Sequence, residues 1–446
     1  MLANRAKASG QALVAVALAF LLGASGCSYL GFTIEKKRLR SEAKHDPSLG
    51  LARESAPEDC FQLVGRVTRP AGWTSPLFVA AIAREGEKRE LVASREILPE
   101  SSFYTLLVPS GSYDLLLFAD RDGNGLYETG EVAGGTPPES PVEVGLSKAS
   151  DGFLVDGPGL TAGSGGARET AVPVRVKRTP RSNIVGSLDD EMFDPKWGEE
   201  GMYRPTRLLA ATQGLFFGLE PFDRDKVTVL FVHGIAGTPR DFKRLASGLD
   251  RSRFQPWFFY YPSGMPLDKL GAFLARAIGI LGGDPAFDVR QLVVVAHSMG
   301  GLVSRRALNE VCAGGRPGYL KGYVSFSSPY GGMDSAASGV KTAPEVVPSW
   351  RDVATGSDFI ARLHQTPLPA NLPFHLLFGW GKKGGDGPSP AGDGVVRVRS
   401  QLDPRAQQAA TRIHGFEESH VGILENEEAG KTFTALLDSF AGPKPR

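Results

Sequence analysis

The run Leu292-Val293-Val294-Val295-Ala296-His297-Ser298-Met299-Gly300-Gly301 constrains the fold more than any other stretch of the chain. A strand with one wet face alternates apolar and polar residues. An unbroken aliphatic run is instead buried on both faces, as in a parallel sheet covered by helices. The run ends at a sharp turn into a helix expected over 301–312. Ala296 and Gly300, two residues either side of Ser298, are small enough for the backbone to double back there. Such an elbow lifts the serine hydroxyl above the sheet edge, with a helix N-terminus behind it. Val227–Val232 is a second buried run, and it stops at His233-Gly234-Ile235-Ala236-Gly237. Further strands are expected at Phe254–Tyr261, Tyr323–Phe326 and Phe374–Trp380, with helices over 206–217, 240–249 and 267–281. The alternation predicts an α/β unit over 181–446, a mostly parallel sheet with helices on both faces.

A serine hydroxyl is a weak nucleophile at neutral pH. It needs a base within hydrogen-bond reach and an acid that fixes the base's tautomer. Downstream stand Asp393-Gly394-Val395-Val396, an acid on a turn, and Glu418-Ser419-His420-Val421-Gly422, a histidine in a loop before a helix expected over 427–440. Asp393 is preferred over Asp386, which lies in a Gly/Pro-rich stretch. His420 is preferred over His414, which has no helix directly after it. An oxyanion needs two aligned N–H donors. The candidates are the amide of Met299, after the serine, and that of Ile235, in the loop after the first buried strand. His297 is assigned to packing.

In this order, Val229–Ile235, Ala296–Gly301, Ser327-Ser328-Pro329-Tyr330-Gly331-Gly332, Asp393–Val396 and Ser419–Val421 resemble the α/β-hydrolase superfamily, in particular its bacterial lipases and esterases. The resemblance implies cleavage of carboxylic esters through an acyl-enzyme on Ser298, with His420 as general base and Asp393 as orienting acid. The same triad serves amidases, thioesterases and acyltransferases. A catalytically idle, hydrolase-fold binding protein on the cell surface is the alternative of another class. The resemblance also implies an eight-stranded core and a catalysis without cofactor. The insertion of about 332–373, with Trp350, Phe359, Ile360 and Leu363, is implied to be a cap suited to esters with an apolar acyl or aromatic group.

The N-terminus reads as an address. Arg5 and Lys7 precede an apolar run from Ala12 to Ala24. That run is too short to cross a hydrocarbon core of about 30 Å, so a signal peptide over 1–26 is expected. Ala24-Ser25-Gly26-Cys27 resembles the lipobox of bacterial lipoproteins. That implies acylation of Cys27 and anchoring in the cell envelope, at the outer membrane where there is one, since Ser28 is not Asp. Residues 27–56 are polar and mixed in charge, as in a flexible tether.

Between 57 and 180 short apolar segments alternate with Pro, Gly and Ser, which predicts a small β-sandwich. Strands are expected at Leu63–Val67, Leu77–Ile82, Phe103–Val108, Tyr113–Ala119 and Val172–Val176. Pro109-Ser110-Gly111 is a hairpin signal. Asp120-Arg121-Asp122-Gly123-Asn124-Gly125 with Glu131 has the spacing of a calcium loop, with Asp120, Asp122, Asn124 and Glu131 as ligands. The segment also resembles the Asp/Asn/Gly turns of transthyretin-like and carboxypeptidase-regulatory-like sandwiches, which fold without metal. Lys and Arg total 50 against 49 Asp and Glu, a net charge of +1, so nucleic acid is not an expected partner. Three cysteines exclude a disulfide scaffold. Cys60 and Cys312 fall in different units, and no bridge between them is expected.

Overall fold

The computed structural model describes residues 29, 31–34, 60–86, 88–97, 101–145, 147–149, 154–163, 172, 174–177, 185–212, 215–283, 288–381 and 392–441. Cys27 and Asp386 lie outside the described residues. The chain divides into two compact units. One is Leu39–Asn183; the other is Ile184–Arg446 together with Met1–Arg38.

The first unit is built of β1 (Cys60–Thr68), β2 (Leu77–Glu85), β3 (Lys88–Ile97), β4 (Phe103–Pro109), β5 (Gly111–Ala119), β6 (Leu126–Glu128), β7 (Val132–Gly135), β8 (Val142–Val144), β9 (Leu154–Asp156), β10 (Leu160–Thr161) and β11 (Arg175–Lys177). β1 pairs antiparallel with β4 and parallel with β9 and β10. A second sheet runs β3-β2-β5-β7, with β8 also on β5. Parity explains the continuous apolar run of β2. Leu77, Val79 and Ala81 join the core shared with β1 and β4, whereas Phe78, Ala80 and Ile82 pack with Phe118, Tyr127, Val132 and Val174. Pro109-Ser110-Gly111 is not a hairpin. The strands on its two sides pair in different sheets, β4 with β1 and β5 with β2, so the chain turns a corner between layers. Both strands need their apolar faces covered, and crossing between sheets gives each one a partner layer.

The second unit holds β12 (Phe216–Gly218), β13 (Val227–Val232), β14 (Phe254–Phe259), β15 (Leu292–His297), β16 (Leu320–Phe326), β17 (Phe374–Gly379) and β18 (Arg412–Phe416). Their order is β12-β14-β13-β15-β16-β17-β18, parallel throughout except for the antiparallel edge strand β12. β13, β14 and β15 are buried at every position. One face packs Val229, Phe231, Val293 and Val295 against Phe242, Leu245, Phe433 and Leu437. Each such side chain stabilises the fold by about 1.5–3 kcal/mol when fully buried. The strand order, with a serine turn directly after β15, is that of the α/β-hydrolase fold.

One further expectation is corrected here. The helix expected over 206–217 ends at Thr212, and Phe216 lies on β12, stacked on Phe259 of β14 at 4.9 Å between centroids. Seven strands are described in this sheet. Arg412–Phe416, where His414 was weighed as a base, is the edge strand β18. The insertion after Gly332 forms the short helices Asp334–Thr342, Pro348–Val353 and Asp358–Leu363, whose Trp350, Phe359, Ile360 and Leu363 are all buried. Cys60 and Cys312 are both buried and fall in different units.

Candidate active site

All the elements that carry the candidate residues reach the carboxyl edge of the seven-stranded sheet of the second unit. Ser298 follows β15, and its N–H donates to the Phe326 carbonyl at 2.9 Å. Its backbone sits at φ 54°, ψ −130°. For a residue with a Cβ that conformation costs about 1–3 kcal/mol, which the packing around it must hold. The turn tolerates no bulk. A Cβ on Gly300 would run into the carbonyls of Val232 and His233, and one on Gly234 would stand 2.9 Å from the Ser298 Cβ.

Three side chains remote in sequence meet here. The Ser298 hydroxyl lies 2.8 Å from His420 Nε2, and His420 Nδ1 lies 2.7 Å from Asp393 Oδ2. An ionised carboxylate only accepts, so Nδ1 carries the proton and Nε2 is left to accept from the serine. The other oxygen of Asp393 holds its own turn, accepting from Val396 N–H at 2.7 Å and Val395 N–H at 3.0 Å. Burial pushes the Asp393 carboxyl up, but the adjoining His420 ring and these amides outweigh it and hold the acid below its ordinary range. The two loops are also joined through the backbone, where His420 N–H donates to the Asp393 carbonyl at 2.8 Å. Ser298, Asp393 and His420 are all buried. His414 is not in this cluster; it faces His375 across β17 and β18.

The amide of Met299 is the first of its helix and so has no acceptor within it. Ile235 sits between Gly234, which abuts Ser298, and Ala236, which takes φ 52° and donates its N–H to Ser263 Oγ at 2.9 Å. His233 fixes this turn. One ring nitrogen bonds the Gly234 carbonyl at 2.8 Å, and the other accepts from Tyr261 N–H at 3.2 Å. The Tyr261 hydroxyl donates to the His233 carbonyl at 2.6 Å. Burial pushes the His233 imidazole down to about 4, so the ring is neutral at pH 7.

Sequence reasoning left two supports unread. His297 was assigned to packing, and it is buried, but its Nε2 also donates to the His420 carbonyl at 2.9 Å. Burial, then the charge of His420, pushes its imidazole down to about 3. Gln401 bonds both backbone groups of Gly379 at 3.1 and 3.0 Å and the Val396 carbonyl at 3.1 Å, clamping the Asp393 turn to β17. Nothing in the sequence separates Gln401 from a surface glutamine. The sequence signal for His297 is its place directly before the serine.

In the first unit, ligand oxygens of Asp120, Asp122 and Glu131 lie within 4.8 Å of one another. Glu131 accepts from Arg121 N–H at 2.8 Å and Glu128 N–H at 3.1 Å, one amide on each oxygen. Asn124 donates to Asp122 at 2.9 Å and accepts from Leu126 N–H at 2.7 Å. Gly123 and Gly125 take φ of 73° and 79°. The loop thus supplies acceptors to its own backbone.

No family model matches the sequence, and no curated protein matches it. Among solved structures the chain is similar to the mature form of Bacillus licheniformis lipase BlEst2, at 20% identity and TM-score 0.40, covering 50% of this chain and 97% of that one. It is similar to the Pyrococcus furiosus esterase Pf2001, at 19% identity and TM-score 0.35, covering 49% and 82%. It is also similar to Aspergillus fumigatus lipase B, at 18% identity and TM-score 0.40, covering 53% of this chain and 58% of that one.

Proposed function

We propose that the second unit is a serine hydrolase of carboxylic esters. The observation that carries this reading is the unbroken relay from Ser298 Oγ through His420 to Asp393, with contacts of 2.8 and 2.7 Å. Ser298 Oγ attacks the ester carbonyl carbon as its proton passes to His420 Nε2. The carbonyl oxygen becomes an oxyanion facing the amides of Ile235 and Met299. Collapse breaks the bond to the alkoxy oxygen, which leaves as the alcohol with the proton from His420. Water then attacks the acyl-enzyme, gives a proton to His420, and releases the acid and free Ser298. Asp393 keeps Nδ1–H in place and stabilises the imidazolium. No cofactor enters this sequence.

Apolar acyl or aromatic esters are the proposed substrates, and acylated Cys27 is the proposed anchor in the bacterial envelope. Labelling by a fluorophosphonate probe, together with hydrolysis of short p-nitrophenyl esters, tests the chemistry. Ser298→Ala is expected to abolish labelling and to lower kcat by at least about 10⁴-fold. Folded wild-type protein that neither labels nor hydrolyses would support the idle binding protein instead.

A further inference from the structure

Tyr29 and Gly31–Ile34 follow closely on Cys27 in the sequence. They are helical, inside the stretch expected as a tether. Tyr29 is 1% exposed and Phe32 7%. Tyr29 stacks on Trp350 at 5.8 Å and meets Tyr203 at 5.9 Å, and Phe32 stacks on Tyr203 at 5.4 Å between centroids. The Tyr29 hydroxyl donates to the Glu345 carbonyl at 3.0 Å and accepts the Glu345 N–H at 3.3 Å.

The socket stands on the carboxyl edge of the sheet. Ser349, next to Trp350, donates its N–H to the Gly264 carbonyl at 3.2 Å. Gly264 N–H in turn donates to Gly201, on the same helix as Tyr203, at 3.1 Å. Gly264 follows the end of β14, and its neighbour Ser263 holds Ala236 in the turn that carries Ile235. One short hydrogen-bonded path therefore joins the docked segment to the loop beside Ser298.

Exposed apolar groups mark the same edge. Among the described residues the large exposed hydrophobic side chains are Ile34, Trp380, Ile413 and Val421. Trp380 directly follows β17, and Val421 directly follows His420. Ile34 is 66% exposed on the helical turn whose Tyr29 and Phe32 are buried. Only Ile413 belongs elsewhere, near the start of β18.

We propose that Tyr29 and Gly31–Ile34 act as a docking strap that holds this edge of the hydrolase unit against the membrane carrying Cys27, so that the site draws ester lipids from that same membrane surface. The inference rests on the esterase reading and on acylation of Cys27. Two residues of chain reach at most about 7 Å, so the socket stays within that distance of the anchor's Cα. A free tether of the length first expected would leave a mean span of roughly 30 Å.

The test uses the full-length lipoprotein reconstituted in vesicles of phosphatidylethanolamine and phosphatidylglycerol containing a fluorescent acyl-glycerolipid. Hydrolysis of that lipid is read beside hydrolysis of soluble p-nitrophenyl butyrate. A Gly/Ser insert of about twenty residues between Ser28 and Tyr29 leaves the socket filled but lengthens the reach. It is expected to keep soluble activity within about twofold and to cut lipid hydrolysis at least about 10-fold, since site and bilayer no longer stay in register. The double variant Tyr29→Ala/Phe32→Ala is expected to do the same by emptying the socket. Equal lipid hydrolysis by wild type and insert variant overturns the strap. Wild type that floats with vesicles and cleaves only the soluble ester overturns the strap and leaves the hydrolase standing. Protein that cleaves neither substrate overturns both readings, and protein that does not float overturns the anchor and the strap with it.

Discussion

Asp393 and Glu131 sit in different units, each beside a tight turn, and each accepts backbone amides. Asp393 spends one oxygen on Val395 and Val396 and turns the other to His420, 27 residues away in sequence. Glu131 gives both oxygens to its own loop, one to Arg121 N–H and one to Glu128 N–H. Both acids stood out in the sequence by the Gly residues around them. A carboxylate with one oxygen left for a distant partner can orient a base. A carboxylate with both oxygens committed locally shapes a turn. Substituting each acid by its amide separates the two roles.

Asp393→Asn carries the largest expected effect. The amide can still hold the turn through its oxygen, but its NH₂ cannot accept from His420 Nδ1–H. The ring then adopts the wrong tautomer, and kcat is expected to fall by about 10⁴-fold on p-nitrophenyl esters. A loss under about 10-fold would mean that Asp393 does not orient the base, and the contrast with Glu131 would collapse.

Acid separates the units by a second route. His233 and His297 are held neutral, at about 4 and about 3, against an ordinary value near 6.5. Their folded values are depressed, so the unfolded chain takes up protons first as pH falls below about 6.5. Stability is then lost at about 1.4 kcal/mol per pH unit for each histidine, until its folded value is reached. Asp393 adds to the loss only below about 4, because its folded value is also depressed. Residues 60–177 contain no histidine. Calorimetry at pH 7 and pH 5 is expected to show the hydrolase transition moving down and the sandwich transition nearly still. His297→Phe should flatten the first shift. It should also lower kcat by about 10-fold, because the His420 loop loses its buried N–H donor. Equal shifts in both transitions would contradict the assignment of these buried rings.

The legible and illegible parts of the fold divide along the same physical lines. Val227–Val232 and Leu292–Val295 announced themselves because strands buried on both faces allow no polar interruption. β3, Lys-Arg-Glu-Leu-Val-Ala-Ser-Arg-Glu-Ile, and β18, Arg-Ile-His-Gly-Phe, are edge strands that carry charge, and no apolar run betrays them. The serine elbow was legible because its small residues answer a local steric demand. The choice of Asp393 and His420 needed chain order as well, since neither neighbourhood names its partner. Gln401 and the Tyr29 socket were invisible, because each acts only through elements brought close by the fold.

Glu131→Gln carries a smaller effect than any acid in the relay. It replaces one acceptor oxygen by a donor facing a backbone N–H, in a half-buried position. The sandwich transition is expected to drop by the equivalent of about 0.5–1.5 kcal/mol, a few degrees, with ester hydrolysis unchanged. A loss of hydrolysis would show that this loop reaches the chemistry after all.

Calcium carries the smallest expected effect. Asp120, Asp122 and Glu131 could gather around one ion, but the Glu131 oxygens and the Asn124 oxygen already accept amides. An ion must add to these bonds or displace them. Millimolar calcium is expected to leave the sandwich transition where it is, and Asp122→Asn should behave the same with or without the ion. Binding at a hundred times its dissociation constant would stabilise the unit by about 2.7 kcal/mol, a shift no calorimeter would miss. Such a shift, absent in Asp122→Asn, would turn Glu131 from a turn residue into a ligand and redraw the contrast with Asp393.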